Sequence, residues 1–392
     1  MLNLRLLVLV FAPFAFGTSA FAFVGLIDPM AADLRVSVPL VGQLQTVFAL
    51  ACGIGGPLLA RALGRFDRKL LLTLVMLGLA GLNIATALAP SFSAIAAIRI
   101  IGGLFAALTL PLATTIAVNL VEEVKRPAAI ATVLAGYTLA FLVGLPLCTW
   151  LGAEFGWQAA FWFGAGVSAL SFLMISIGAP SNVSAPAMAQ AQFRDALQVD
   201  NLRFIAISLL IFAATFSSVS LVGPVITAYS GVTGAGIGAI QFATGFGSLL
   251  GLPAGAFLAR LPVRQSLGAL LAITLLTQAI YFFGMTNDFG VLAIPSLIIV
   301  MSAGSASLFA SSPIIQTELA KAAGPAATIA FALNGSMIYF GQGIGASLGG
   351  AVTAGSSLAY TGLAGALVAM IGLGVVTGLG SRVRAPVSQP AE

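Results

Sequence analysis

The chain has 392 residues, of which 59% are hydrophobic and 7% charged, with a mean hydropathy of +1.10, whereas a soluble domain carries about 25% charged residues. That balance excludes a soluble fold and makes hydrocarbon the solvent for most of the surface. The net charge of +5 is best read from where the charges fall along the chain.

Apolar runs of about 20 residues recur from end to end, and runs of that length fit helices, because membrane β-strands alternate over about ten residues. They predict an all-α polytopic membrane protein of twelve transmembrane helices, near 6–27, 38–60, 70–89, 93–119, 127–151, 157–179, 203–228, 236–259, 265–285, 290–315, 326–352 and 356–380. In the first, Ala20-Phe21-Ala22 resembles a signal-cleavage site, but the apolar stretch exceeds the usual 7–15 residues, roughly, of a signal core and reads as a span. Asp28, before Pro29, marks its outer end, with Asp33 just beyond.

Between the second and third spans lies the cluster Arg65-Phe66-Asp67-Arg68-Lys69. It serves either as cytoplasmic positive charge alone or as a gate latch through Arg65, Asp67 and Arg68. Arg99 is the single basic residue well inside a span, roughly 9 Å below the outer surface at 1.5 Å per residue. It either snorkels outward or faces the interior. A buried guanidinium needs an acceptor, and an Arg99–Asp28 pair is the expectation. Asp28 has a plain alternative role, ending its helix at the water interface.

In the fifth span Gly144 and Pro146 allow close packing and a kink, as glycines 341, 343, 345, 349 and 350 allow close packing in the eleventh. The segment 181–202, rich in Pro, Ser, Ala and Gln, reads as a cytoplasmic linker between two six-helix bundles, 1–180 and 203–392. The halves echo each other weakly: Gly56-Pro57-Leu58-Leu59-Ala60-Arg61 resembles Gly255-Ala256-Phe257-Leu258-Ala259-Arg260. Two pseudo-symmetric bundles imply a secondary transporter with its solute near the midplane.

With the N-terminus cytoplasmic, fourteen of the sixteen basic residues fall on that face and Arg35 alone on the other, which places both termini inside. Aromatic and neutral polar groups within the spans are the substrate candidates: Phe14, Thr18, Phe21, Gln43, Gln45, Thr109, Tyr137, Phe141, Gln241, Phe242, Asn334, Tyr339 and Gln342. Buried amides need a partner helix or a ligand, so these residues predict a cavity for a small neutral or weakly charged solute. Histidine is absent and the two cysteines lack metal spacing, so no metal or cofactor is expected and proton chemistry falls to carboxylates. Phosphate-loop, GxSxG and HExxH motifs are missing, which points away from an enzyme and from ATP as the energy source. The expected partners are the solute, protons and the lipid bilayer, with no nucleic acid and a monomeric state.

The segments around Gly17–Phe21, Gly64–Lys69, Arg99-Ile100-Ile101-Gly102-Gly103, Gly144-Leu145-Pro146 and Gly156–Phe161 together resemble the drug:proton antiporter branch of the major facilitator superfamily, in particular bacterial sugar-, purine- and chloramphenicol-efflux transporters. The resemblance implies export across a bacterial inner membrane by alternating access in exchange for protons, with Arg99 in coupling; since the other acids are peripheral, a proton-driven mechanism would rely on Asp28 or Asp33. The departures are Gly64 for the first acid of the second-to-third loop, Gly102 for a glutamine, Gln158 for an arginine, Ala20 for a first-span glutamate, and a missing histidine in the fourth span. The stretch from Ala332 to Tyr339 resembles the purine and nucleoside exporters most. An uncoupled facilitator of the same fold and a transport-dead sensor stand as alternatives.

Overall fold

The computed structural model describes residues 4–63, 65–180 and 196–379, and every regular element among them is helical. The N-terminal half holds α1 (Leu4–Phe21), α2 (Ile27–Leu34), α3 (Val38–Ala62), α4 (Arg68–Ala87), α5 (Phe92–Ala106), α6 (Thr109–Val118), α7 (Arg126–Leu139), α8 (Leu145–Phe155) and α9 (Gln158–Gly178). The C-terminal half holds α10 (Val199–Val219), α11 (Val222–Ser230), α12 (Ala235–Leu258), α13 (Val263–Thr286), α14 (Ala293–Ala323), α15 (Ala327–Gly355) and α16 (Tyr360–Thr377). Ten helical stretches among the described residues are long and apolar enough to cross a membrane. The shorter α1 and the glycine-rich α15 complete the twelve expected spans. The expected linker over 181–202 falls largely outside the described residues.

Four spans expected as single helices are interrupted, three of them for a physical reason visible in the structure. The first, expected over 6–27, ends at Phe21 and resumes at Ile27. Here the last carbonyls find partners outside the helix: Ser19 O and Ala20 O accept from Arg99, and Val24 O accepts from Gly223 N at 3.0 Å. The seventh breaks at Ser220–Leu221 between α10 and α11, the same place in the second half, so the internal echo extends to the C-terminal ends of both leading spans. The fourth breaks at Ala107–Leu108, ahead of Pro111, whose missing N–H leaves a carbonyl one turn earlier without its helical donor. In the fifth, Ala140–Gly144 widens into a π-turn directly before Pro146, the residue expected to permit a kink.

Helix packing is set by rows of glycine at every fourth position. A Cβ on Gly341, Gly345 or Gly349 of α15 would lie 2.5, 2.4 and 2.0 Å from the carbonyls of Leu209, Ala213 and Ser217 of α10. Gly247, Gly251 and Gly255 of α12 stand likewise 2.2, 2.7 and 2.3 Å from the carbonyls of Ser302, Ala306 and Ala310 of α14. Such backbone-to-backbone contact replaces the hydrophobic drive that helices lack in lipid. The expectation covered the row in α15; the equivalent row in α12 emerges from the structure.

The two halves meet along α3 with α15 and α8 with α12. They also meet closely at the end carrying α2 and α11. There Gly223 lies against the backbone of Gly25 and Val24, Gly42 against Leu221, and Gly238 against the carbonyl of Pro146.

Candidate functional site

Between the halves lies a small cavity of about 60 Å³. The N-terminal half contributes Phe21, Val24, Phe141 and Leu145; Phe216, Met301 and Phe309 add apolar wall from the other side. The polar lining comes from the C-terminal half alone: Thr215, Gln241, Thr244, Ser248, Thr277, Gln278, Tyr281 and Ser305. No charged side chain lines it among the described residues. Aromatic walls with a few convergent hydroxyls and amides suit an uncharged solute with an apolar body.

Thr149 Oγ1 donates to Gln241 Oε1 at 2.7 Å, and Ser218 Oγ donates to Gln278 Oε1 at 2.7 Å. Three cavity hydroxyls are committed to backbone carbonyls: Thr215 to Ile211, Thr244 to Gln241 and Thr277 to Thr274. Those oxygens therefore face the cavity as acceptors only.

An aromatic chain runs from the cavity into the N-terminal half. Phe21 lies 5.7 Å from Phe216 and 5.1 Å from Phe141, centroid to centroid, and Phe141 lies 5.3 Å from Phe309. Tyr137 continues it at 5.4 Å from Phe141, then Phe16 at 5.7 Å from Tyr137, and Phe16 meets Tyr339 and Phe48. Each such pair contributes about 0.5–1.5 kcal/mol beyond its buried area. Tyr137 also lies beside Gln342 across the two halves.

Beyond Phe48 sits Arg99, only 4% exposed. Its Nη1 donates to Ser19 O at 2.9 Å and its Nη2 to Ala20 O at 3.2 Å, while the guanidinium lies over Phe23, Phe48 and Phe161 at 4.6, 5.1 and 5.7 Å. The expected Arg99–Asp28 pair is not formed: among the described residues no carboxylate pairs with Arg99. Backbone carbonyls at the end of α1 carry partial negative charge and take the acceptor role, and three ring faces complete the cage. Snorkelling is excluded by the same burial. Asp28 is exposed in the first turn of α2, where partial desolvation lifts its carboxyl above the usual aspartate range. Asp33 accepts from Trp157 Nε1 at 2.8 Å and from Gln158 Nε2 at 3.5 Å, tying α2 to the start of α9.

Of the substrate candidates, Phe21, Phe141 and Gln241 line the cavity. Tyr137, Tyr339 and Gln342 stand behind it in the aromatic chain. Thr18, Gln45, Thr109 and Asn334 are buried away from the cavity lining, each with at least one polar atom lacking a hydrogen-bond partner. Phe14 is half-buried and outside the lining. Gln43 donates to Ala346 O at 3.4 Å, bonding α3 to α15. Phe242 is a correction: it is 47% exposed on the outside of α12, packed on Phe246, because the inward position goes to Gln241 beside it. Gln278 and Tyr281 were missed, although an amide in the middle of an apolar run is the signal that singled out Gln241.

At the third span's start, Asp67 caps α4: its Oδ1 accepts from Leu70 N at 2.9 Å. Arg65 is exposed and lies over the Phe66 ring at 5.2 Å. Arg68 is the first residue of α4. Asp67→Ala is expected to destabilise the protein by about 1 kcal/mol through the lost cap, and Asp67→Asn or Asp67→Ser to restore most of it, measured by thermal denaturation of purified protein. Gly144, the other gating candidate beside Pro146, packs its bare Cα against the Thr18 hydroxyl.

A family model described as Major Facilitator Superfamily matches residues 7–346. The chain is 28% identical over 375 residues to the inner membrane transport protein YdhP of Escherichia coli, covering 95% of each. It is 28% identical over 357 residues to a chloramphenicol efflux pump of Mycobacterium tuberculosis, covering 88% of this chain and 85% of that one. Its fold superposes on the crystal structure of the nucleoside transporter NupG with a TM-score of 0.74, at 16% identity, over 96% of this chain and 99% of the other.

Proposed function

The chain belongs to the Major Facilitator Superfamily, and on that premise we propose that it is a secondary transporter exporting a small, uncharged, partly aromatic organic solute across the bacterial inner membrane. Residues 1–180 and 203–392 act as the two moving bodies, joined by the 181–202 linker, with both termini cytoplasmic. They rock about the cavity so that it opens to each side in turn. One observation carries this reading: a charge-free cavity with aromatic walls lies at the junction of the halves and takes wall from both. A drug-like solute such as an amphenicol fits that lining, and a relative is an efflux pump for one. Nucleosides and sugars are other uncharged solutes whose hydrogen-bonding groups suit that polar lining.

Exchange for protons is the energy source we favour, through Arg99 with Asp28 and Asp33. An uncoupled facilitator is the second reading, favoured by the absence of any acidic lining residue and of a carboxylate beside Arg99 among the described residues. Proteoliposomes with an imposed pH gradient test both readings, with chloramphenicol, adenosine and arabinose as solutes. Concentrative chloramphenicol flux that vanishes when the gradient is collapsed is the expected result. Flux that persists only down its own gradient establishes the facilitator, and no flux of any solute refutes the proposal.

A further inference from the structure

A primary amide has an acceptor end and a donor end, so an oxygen already engaged turns the NH2 group the other way. In both Gln241 and Gln278 the oxygen is engaged by a hydroxyl, from Thr149 and Ser218 respectively. Neither Nε2 has an acceptor among the described residues, and neither is sealed from the cavity that both residues line. The cavity thus presents two amide donors. Their supports differ in origin. Ser218 and Gln278 belong to the same half, whereas Thr149 in α8 and Gln241 in α12 lie on opposite sides of the seam. Thr149 is 1% exposed and is packed where the halves meet closely: a Cβ on Gly25 would stand 2.1 Å from its hydroxyl, and Gly223 N donates to Val24 O next to that glycine.

We infer that Thr149 is a positioning residue: its hydroxyl aims the Gln241 amide into the cavity only while the outer seam is closed, so the closed-seam state binds solutes carrying two or more hydrogen-bond acceptors. When the seam parts, Gln241 loses its support, the amide is free to rotate, and the solute loses one of its two fixed donors on the side where it leaves. Binding strength and access are thereby coupled through one hydrogen bond, without a charged group. The inference rests on the transporter reading above, and it names the solute class as acceptor-rich and uncharged.

The test uses the full chain in liposomes with Cys52→Ala and Cys148→Ala, and a single cavity cysteine from Ser305→Cys, labelled from the outer face by a membrane-impermeant thiol reagent. Thr149→Val and Gln241→Leu should each raise the labelling rate about fivefold, the worth of one hydrogen bond. The double variant should label no faster than either single, and Thr149→Ser should match the parent. Labelling at the parent rate in Thr149→Val, or additive effects in the double variant, overturns the inference. A second arm measures chloramphenicol affinity on the same proteins: equal weakening by Thr149→Val and Gln241→Leu supports it, and weakening by Gln241→Leu alone overturns it. A parent that binds no chloramphenicol refutes the proposed solute class, and the labelling arm alone then decides the role of Thr149.

Discussion

Arg99→Ala is expected to cost about 3 kcal/mol of stability, the sum of an emptied aromatic cage and two lost charge-assisted hydrogen bonds. The carbonyls of Ser19 and Ala20 lose their partner in a buried setting, and unpaired polar groups are most expensive there. Because those carbonyls mark the place where the first span breaks, the variant should also loosen residues 22–25, which carry the Val24–Gly223 bond between the halves. Arg99→Lys keeps the charge but replaces a planar fork by a point, so it should recover less than half of the loss. The denaturation midpoint of purified protein checks both, and an unchanged midpoint in Arg99→Ala would refute the structural role given to the guanidinium.

Gly345→Val is expected to prevent assembly of the C-terminal half. Its Cβ would stand 2.4 Å from Ala213 O and 3.0 Å from Phe216 Cβ, and neither α10 nor α15 can retreat without breaking the contacts of Gly341 and Gly349 on the same row. Overpacking of this kind costs about 1–3 kcal/mol where a side chain can yield; here the obstacle is backbone, so the cost exceeds that range. Gly335→Val of the same helix, where a Cβ meets nothing within 4 Å, should be tolerated. Recovery of monodisperse protein after solubilisation reads the difference between the two. Equal recovery would show that the glycine row is not the packing seam.

The span pattern was legible because hydrocarbon leaves the backbone few choices: the length of each apolar run is set by bilayer thickness. The break in the first span was not, because its causes lie 80 and about 200 residues away, in Arg99 and Gly223. Charge alone singled out Arg99, yet the search for its acceptor went to Asp28, since backbone carbonyls leave no mark in a sequence. Phe21, Phe141 and Gln241 were legible as aromatic or amide groups inside spans. The same argument reaches Gln278, whereas Thr149 was illegible. A threonine in a helix is ordinary, and its meaning comes only from the residue it meets across the seam.

In the proposed transport cycle the two halves part at the end carrying α2 and α11. The most direct measurement joins them there: Val24→Cys with Gly223→Cys in the cysteine-free chain, cross-linked by oxidation and assayed for chloramphenicol flux before and after reduction. Cross-linked protein is expected to carry no flux, and reduction to restore it. Undiminished flux through fully cross-linked protein would contradict that cycle.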